Sequence, residues 1–86
     1  MYTVNYHPRA IKFLRKISKE LRGRILQKTG KLIEDPFSKN LNLKRLIDSE
    51  KSYRLRIGKI RVIFELDEIN KNIHITKIDF RGNVYS

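Results

Sequence analysis

Three arginines, Arg54, Arg56 and Arg61, crowd the stretch Tyr53-Arg54-Leu55-Arg56-Ile57-Gly58-Lys59-Ile60-Arg61-Val62-Ile63-Phe64. A guanidinium is a planar fork of N–H donors that pairs bidentately with phosphate oxygens, so the chemistry open to these residues is to hold a phosphate and stabilise charge on it. Two alternating, β-branched runs flank Gly58-Lys59, which predicts a β-hairpin with a two-residue loop and glycine at its first central position. Such a loop sets Ile57 opposite Ile60, Arg56 opposite Arg61, Leu55 opposite Val62 and Arg54 opposite Ile63. Successive strand side chains point to opposite faces. Leu55, Ile57, Ile60, Val62 and Phe64 therefore share an apolar face, and Arg54, Arg56 and Arg61 share the other. Like charges directly opposed across strands are destabilising, and the simplest use of that arrangement is to hold a polyanion. A solvated cationic face and the seat of an acidic partner are the other readings of the same residues.

Few other reactive groups are on offer. His7 and His74 are far apart and lack ligand spacing, and the carboxylates do not cluster with the arginines along the chain. There is no cysteine, which excludes disulfides and thiolate metal sites, and no metal or cofactor is expected. The 86 residues carry 20 Lys+Arg against 9 Asp+Glu, a formal net charge of +11. A domain this basic is expected to bind phosphate-rich or acidic partners in a salt-dependent way. A solvated lysine-rich surface, of the kind found in thermophile proteins, has the same composition. The length and the 40% hydrophobic content fit one small domain, residues 1–86, with a modest core. Lacking staples, such a domain is expected to gain stability from a partner or oligomer. No apolar run approaches the ~18 residues of a membrane span, so no membrane partner is expected. The segment Met1-Tyr2-Thr3-Val4-Asn5-Tyr6 alternates like a strand and lacks the apolar centre of a signal peptide, which points to the cytoplasm.

The elements that must position the arginines follow from periodicity. Thr3 to Tyr6 reads as a short strand, and Pro8 sits just inside a helix start, where its missing N–H costs nothing. Ala10, Ile11, Leu14, Ile17 and Leu21 recur at helical spacing, with Arg9, Lys12, Arg15, Lys16 and Lys19 on the opposite face. Ser18 and Gly23 mark the expected break before a second helix, whose stripe is Ile25, Leu26, Thr29, Leu32 and Ile33. Asp35-Pro36 ends it, because proline disfavours helix in the residue before it. The two helices are expected to form a hairpin. The stretch from Pro36 to Lys51 is the least patterned, although Leu41, Leu43, Leu46 and Ile47 indicate some packing. After the arginine hairpin comes a polar turn at residues 67–72, then a last strand from Ile73 to Ile78. Its apolar positions shift from odd (Ile73, Ile75) to even (Ile78, Phe80), which predicts a bulge or a sheet end near Thr76-Lys77. The order β-α-α-β-β-β predicts an α+β two-layer sandwich, with a helical hairpin on the apolar face of an antiparallel sheet and the arginine face open.

In the order and spacing of two motifs, the chain resembles the RelE/ParE superfamily of toxins from bacterial and archaeal type II toxin–antitoxin modules, RelE-like members above all. The motifs are the hairpin from Tyr53 to Phe64 and the C-terminal Arg81-Gly82-Asn83-Val84-Tyr85. The resemblance covers nearly the whole chain and implies the RelE-like microbial ribonuclease fold. It implies a ribosome-dependent, metal-independent mRNA endonuclease, an mRNA interferase that blocks translation, or in ParE-type members a non-nuclease inhibitor of DNA gyrase. It implies a RelB-like antitoxin as protein partner, and ribosome and mRNA as the others.

Metal-free RNA cleavage needs the 2′-OH to attack the adjacent phosphate, stabilisation of the phosphorane, and proton transfers at both oxygens. With these residues the basic face acts mainly by electrostatics and positioning. By the resemblance Arg61 sits at the scissile phosphate, Arg81 serves the leaving oxygen, and Tyr85 stacks on a base or hydrogen-bonds near the 2′-OH. Arg54 and Arg56 match positions often held by lysine, one of them a proposed proton acceptor in relatives. An arginine there stays protonated and has almost no neutral form to accept a proton. The expected catalytic set is Arg56, Arg61, Arg81 and Tyr85, and the expected RNA-binding set is Arg54, Lys51, Lys59, Lys77, Lys12 and Lys16. The lysines of the first helix are candidates for A-form RNA phosphates, which are read by charge and shape. Arg81 as an ordinary tail charge, Tyr85 as a packing residue, and a plain RNA-binding module without chemistry stand beside these assignments.

Overall fold

The computed structural model describes residues 1–47 and 50–80. Strand β1 (Thr3–Tyr6) leads directly into helix α1 (Pro8–Lys16). His7 caps that helix, its Nδ1 accepting from Arg9 N at 3.1 Å, with Pro8 at the first helical position. Helix α2 (Lys19–Glu34) starts at Ser18, whose Oγ accepts from Leu21 N at 3.1 Å. The break thus falls at Ile17-Ser18. Gly23 lies inside α2, and Leu21 belongs to α2 rather than to α1. A satisfied serine cap, with Glu20 in the first turn beside the positive helix end, outweighs the modest propensity cost of one helical glycine. Arg22 ties the helices together by donating from Nε to Leu14 O at 2.8 Å and from Nη2 to Ile17 O at 3.2 Å, carbonyls that the end of α1 leaves without helical partners. Asp35 ends α2 before Pro36, as expected.

The unpatterned stretch holds a strand that periodicity did not reveal, β2 (Asn42–Arg45), in which Leu43 is the sole apolar residue. Then come β3 (Ser52–Ile57), β4 (Ile60–Asp67) and β5 (Asn72–Phe80). The sheet has five strands in the order β1-β5-β4-β3-β2. The α+β sandwich stands, but the sheet is mixed rather than wholly antiparallel. β1 runs parallel to β5, from Thr3 beside Asn72 to Tyr6 beside Ile75, and Thr3 N and His7 N donate to Lys71 O and Ile75 O. The β3–β4 register is the one the loop predicts, Ile57 with Ile60 through Arg54 with Ile63, and Gly58 has φ +58. The predicted bulge is present as well. Lys77 pairs with Ile63 while Ile75 pairs with Phe64, so Thr76 is the extra residue, and its Oγ1 donates to Ile63 O at 3.2 Å.

Both helices cover one sheet face. Ala10, Leu14, Ile25 and Leu32 meet Leu55, Ile57, Ile60, Val62, Phe64, Leu66, Ile73, Ile75 and Ile78, all buried in a single core. Burial of this kind contributes ~25 cal/mol per Å² of apolar surface and dominates the stability of so small a sheet. Tyr6 reaches from β1 to Thr29 of α2, and its burial pushes the phenol pKa up while the Thr29 hydrogen bond pulls it down.

Candidate functional site

Alternation places the even residues of β3 and the odd residues of β4 on the face away from the helices. The bulge resets β5, so that Lys77 and Asp79 join that face instead of Thr76 and Ile78. Reading the register across the sheet gives ordered rows. Nearest the Gly58 turn, Asp79, Arg61, Arg56 and Asn42 stand side by side. In the next row Lys77, Ile63, Arg54 and Lys44 do the same. The far end is acidic and polar, with His74 beside Glu65 and Asn72 beside Asp67. Asn5 joins it from β1, hydrogen-bonded to His74 Nδ1 and donating to Asn72 Oδ1 at 3.2 Å.

Arg61 is only 7% exposed. Arg56, across β3, is exposed and bends toward the turn, its Nε donating a long hydrogen bond of 3.5 Å to Gly58 O. Arg54 is half-buried, and its Nε is buried without a hydrogen-bond partner. A buried donor left unmade costs of order 1–3 kcal/mol, and an anion supplied from outside would recover it. The sheet thus concentrates donors where phosphate oxygens could accept them. Arg54, Arg56 and Arg61 do share the open face, as expected. The absence of a carboxylate among the arginines is not borne out, because Asp79 is the register partner of Arg61. The signal for it was present in the parity shift at Thr76, which moves Asp79 onto the arginine face. Lys44 was missed because β2 carries no readable period.

The remaining expected residues divide. Lys59 is exposed at the turn beside the arginines. Lys12, Lys16 and Lys77 come together, with Arg9, around a groove between α1 and β5 that adjoins Asp79. Lys51 lies elsewhere. Its carbonyl accepts from Leu66 N at 2.8 Å, and it lines a separate cavity of about 420 Å³ with Glu50, Tyr53, Asp67, Glu68 and Ile69 at the acidic end. Arg81 and Tyr85 lie outside the described residues. Among the described residues no cluster of His, Cys, Asp or Glu is placed to hold a metal ion, and no helix is long and apolar enough to cross a membrane.

Two helices on one face of a mixed five-stranded sheet match the fold of solved RelE toxins. The RelE–RelB complex of Pyrococcus horikoshii superimposes with a TM-score of 0.84 at 28% identity, covering 96% of this chain and 98% of that one. The isolated RelE toxin of E. coli gives 0.79 at 18% identity, over 99% and 92% of the two chains. The RelB–RelE complex of Methanococcus jannaschii gives 0.76 at 18% identity, over 93% of each. A comparison with curated proteins found no match. The family model for the ParE toxin of type II toxin-antitoxin system, parDE, matches residues 4–85. The chain therefore belongs to the RelE/ParE family, as a toxin of a type II toxin–antitoxin system with a RelE-like fold.

Proposed function

We propose that this toxin is a metal-independent endoribonuclease that cleaves mRNA on the ribosome in the cytoplasm and is neutralised by a RelB-like antitoxin. The observation that carries this reading is the cationic row centred on Arg61, buried between Arg56 and Asp79, with Arg54 in the next row. In the reaction the 2′-OH gives its proton to water and attacks the adjacent phosphorus, the P–O5′ bond breaks, the departing oxygen takes a proton from water, and a 2′,3′-cyclic phosphate and a 5′-OH result. Arg61 stabilises the extra negative charge on the phosphorane oxygens, a role that donors fixed in advance perform without reorganisation. Arg54 and Arg56 position the strand, Arg81 stabilises the charge that builds on the leaving oxygen by hydrogen bonding to it, and Tyr85 stacks near the 2′-OH. The antitoxin reading draws on the solved RelE–RelB complexes and on the apolar side chains left exposed on the helices, Ile11 and Leu26.

Translation-coupled cleavage of a reporter mRNA tests the assignment. Arg61→Ala is expected to slow cleavage by about 10²–10³-fold, the cost of removing one oxyanion donor, and Arg81→Ala by a similar factor. If both variants cleave like the wild type, the assignment is wrong. One finding favours a second reading: the matching family model is that of the ParE toxin. On that reading the message stays intact, and the purified chain inhibits supercoiling by DNA gyrase.

A further inference from the structure

β5 outruns its neighbour. β1 pairs with it only from Asn72 to Ile75, so among the described residues no strand lies beside Thr76–Phe80 on that side, and α1 runs along the gap. Arg9 closes the start of the gap, its Nε donating to Thr76 O at 2.6 Å. Beyond it lies the groove of about 320 Å³ lined by Arg9, Lys12, Phe13, Lys16, Lys77 and Asp79. We propose that this groove is a single-stranded RNA subsite that holds a nucleotide flanking the phosphate at Arg61. The inference rests on the ribonuclease reading for its substrate.

Three observations converge on it. First, four cations and one carboxylate line the groove, a balance that favours a phosphodiester. Second, an aromatic ring lies among the cations. Phe13 is half-buried, and Phe80, 43% exposed, stands edge-to-face against it at 5.5 Å and 67°. Charge suffices for duplex phosphates, whereas a ring beside charge suits an unpaired base, whose face is free to stack. Third, the groove is continuous with the arginine rows. Lys77 and Asp79 line it and are the register neighbours of Ile63 and Arg61, one strand spacing of ~4.8 Å away. A strand with one phosphate at Arg61 enters the groove within a short step.

Binding of a fluorescent 2′-O-methyl single-stranded RNA, which cannot be cleaved, tests this separately from catalysis. A 2′-O-methyl hairpin duplex with the same number of phosphates serves as the comparison. Lys12→Gln and Lys16→Gln are each expected to weaken single-strand binding and to lower the salt slope by about 0.7, the value for one phosphate contact. Phe13→Leu keeps a large apolar side chain against the core and removes the ring. It is expected to weaken single-strand binding about tenfold, at unchanged salt slope and unchanged duplex affinity. Phe13→Tyr is expected to restore it. Unchanged single-strand affinity in Lys12→Gln, Lys16→Gln and Phe13→Leu overturns the subsite, and so does an equal loss of single-strand and duplex affinity in Phe13→Leu. Either result leaves the ribonuclease reading to be decided by the Arg61→Ala and Arg81→Ala cleavage assay. Conversely, a chain that binds through this groove but leaves message uncut overturns the ribonuclease reading and not the subsite.

Discussion

Arg61 has an arginine across one strand boundary and an aspartate across the other. Asp79 is held in turn, because its Oδ1 accepts from Phe80 N at 2.7 Å. Asp79 sets one negative charge beside the facing arginines without neutralising the row, which still presents Arg56 and, one row on, Arg54 and Lys44. Asp79→Asn should therefore act in opposite directions on two measurements. Folding stability, read from urea melts, should fall by about 1 kcal/mol, since a favourable cross-strand charge pair is lost beside a like-charge pair. Affinity for the uncleavable single-stranded RNA should rise, by roughly fivefold at low salt, since a negative charge a few ångströms from the phosphate is worth about 1 kcal/mol in water. A fall in affinity would mean that Asp79 matters more for orienting Arg61 than for its charge.

At the scale of elements, turns fix the geometry of the site. The β4–β5 turn is built on Asp67, whose carboxylate accepts from Ile69 N at 3.1 Å, from Asn70 N at 3.0 Å and from Asn70 Nδ2 at 2.8 Å, and the turn closes with Lys71 at φ 54. These bonds, those from Asn70 first, hold the Asp67 carboxyl below its ordinary value. A depressed folded-state pKa contributes stability that is complete above the unfolded pKa and disappears as pH falls through the folded one. Asp67→Ala should consequently melt below the wild type at pH 7, and the gap should narrow as pH drops below about 4. A gap independent of pH would assign the effect to turn conformation rather than to the carboxylate. The same elements show what the sequence made legible. A two-residue loop with glycine leaves only one register, so the facing of Arg56 and Arg61 could be read directly. The parity change after Ile75 exposed the bulge, although not its consequence for Asp79. β2 escaped because four residues with one apolar side chain show no period and are held by pairing with β3. Of the two residues expected to mark the helix break, Ser18 marks it and Gly23 does not: a glycine is a visible signal, whereas the worth of Ser18 depends on the backbone N–H it meets.

At the scale of the whole molecule, charge is segregated. Arg56, Arg61, Lys59 and the α1–β5 groove gather near the Gly58 end, while Glu65, Asp67, Glu68 and Glu50 gather at the other. A net charge of +11 within a radius of gyration of 12.0 Å makes the unliganded fold repel itself. The Debye length falls from ~30 Å at 0.01 M salt to ~10 Å at 0.1 M, which crosses the molecular radius. Added salt should therefore raise the melting temperature of the isolated chain over that range. A bound polyanion supplies the same neutralisation locally, and its contribution grows with the logarithm of occupancy. Salt weakens that binding by displacing released counterions. With the 2′-O-methyl RNA present, the melting temperature should therefore start higher at low salt and converge on that of the isolated chain as salt rises. Thermal melts with and without RNA across a salt series measure both slopes. A melting temperature that falls with salt in the isolated chain would show that pairing between its charges outweighs their repulsion, and the segregated cations would then not be poised for an anionic partner.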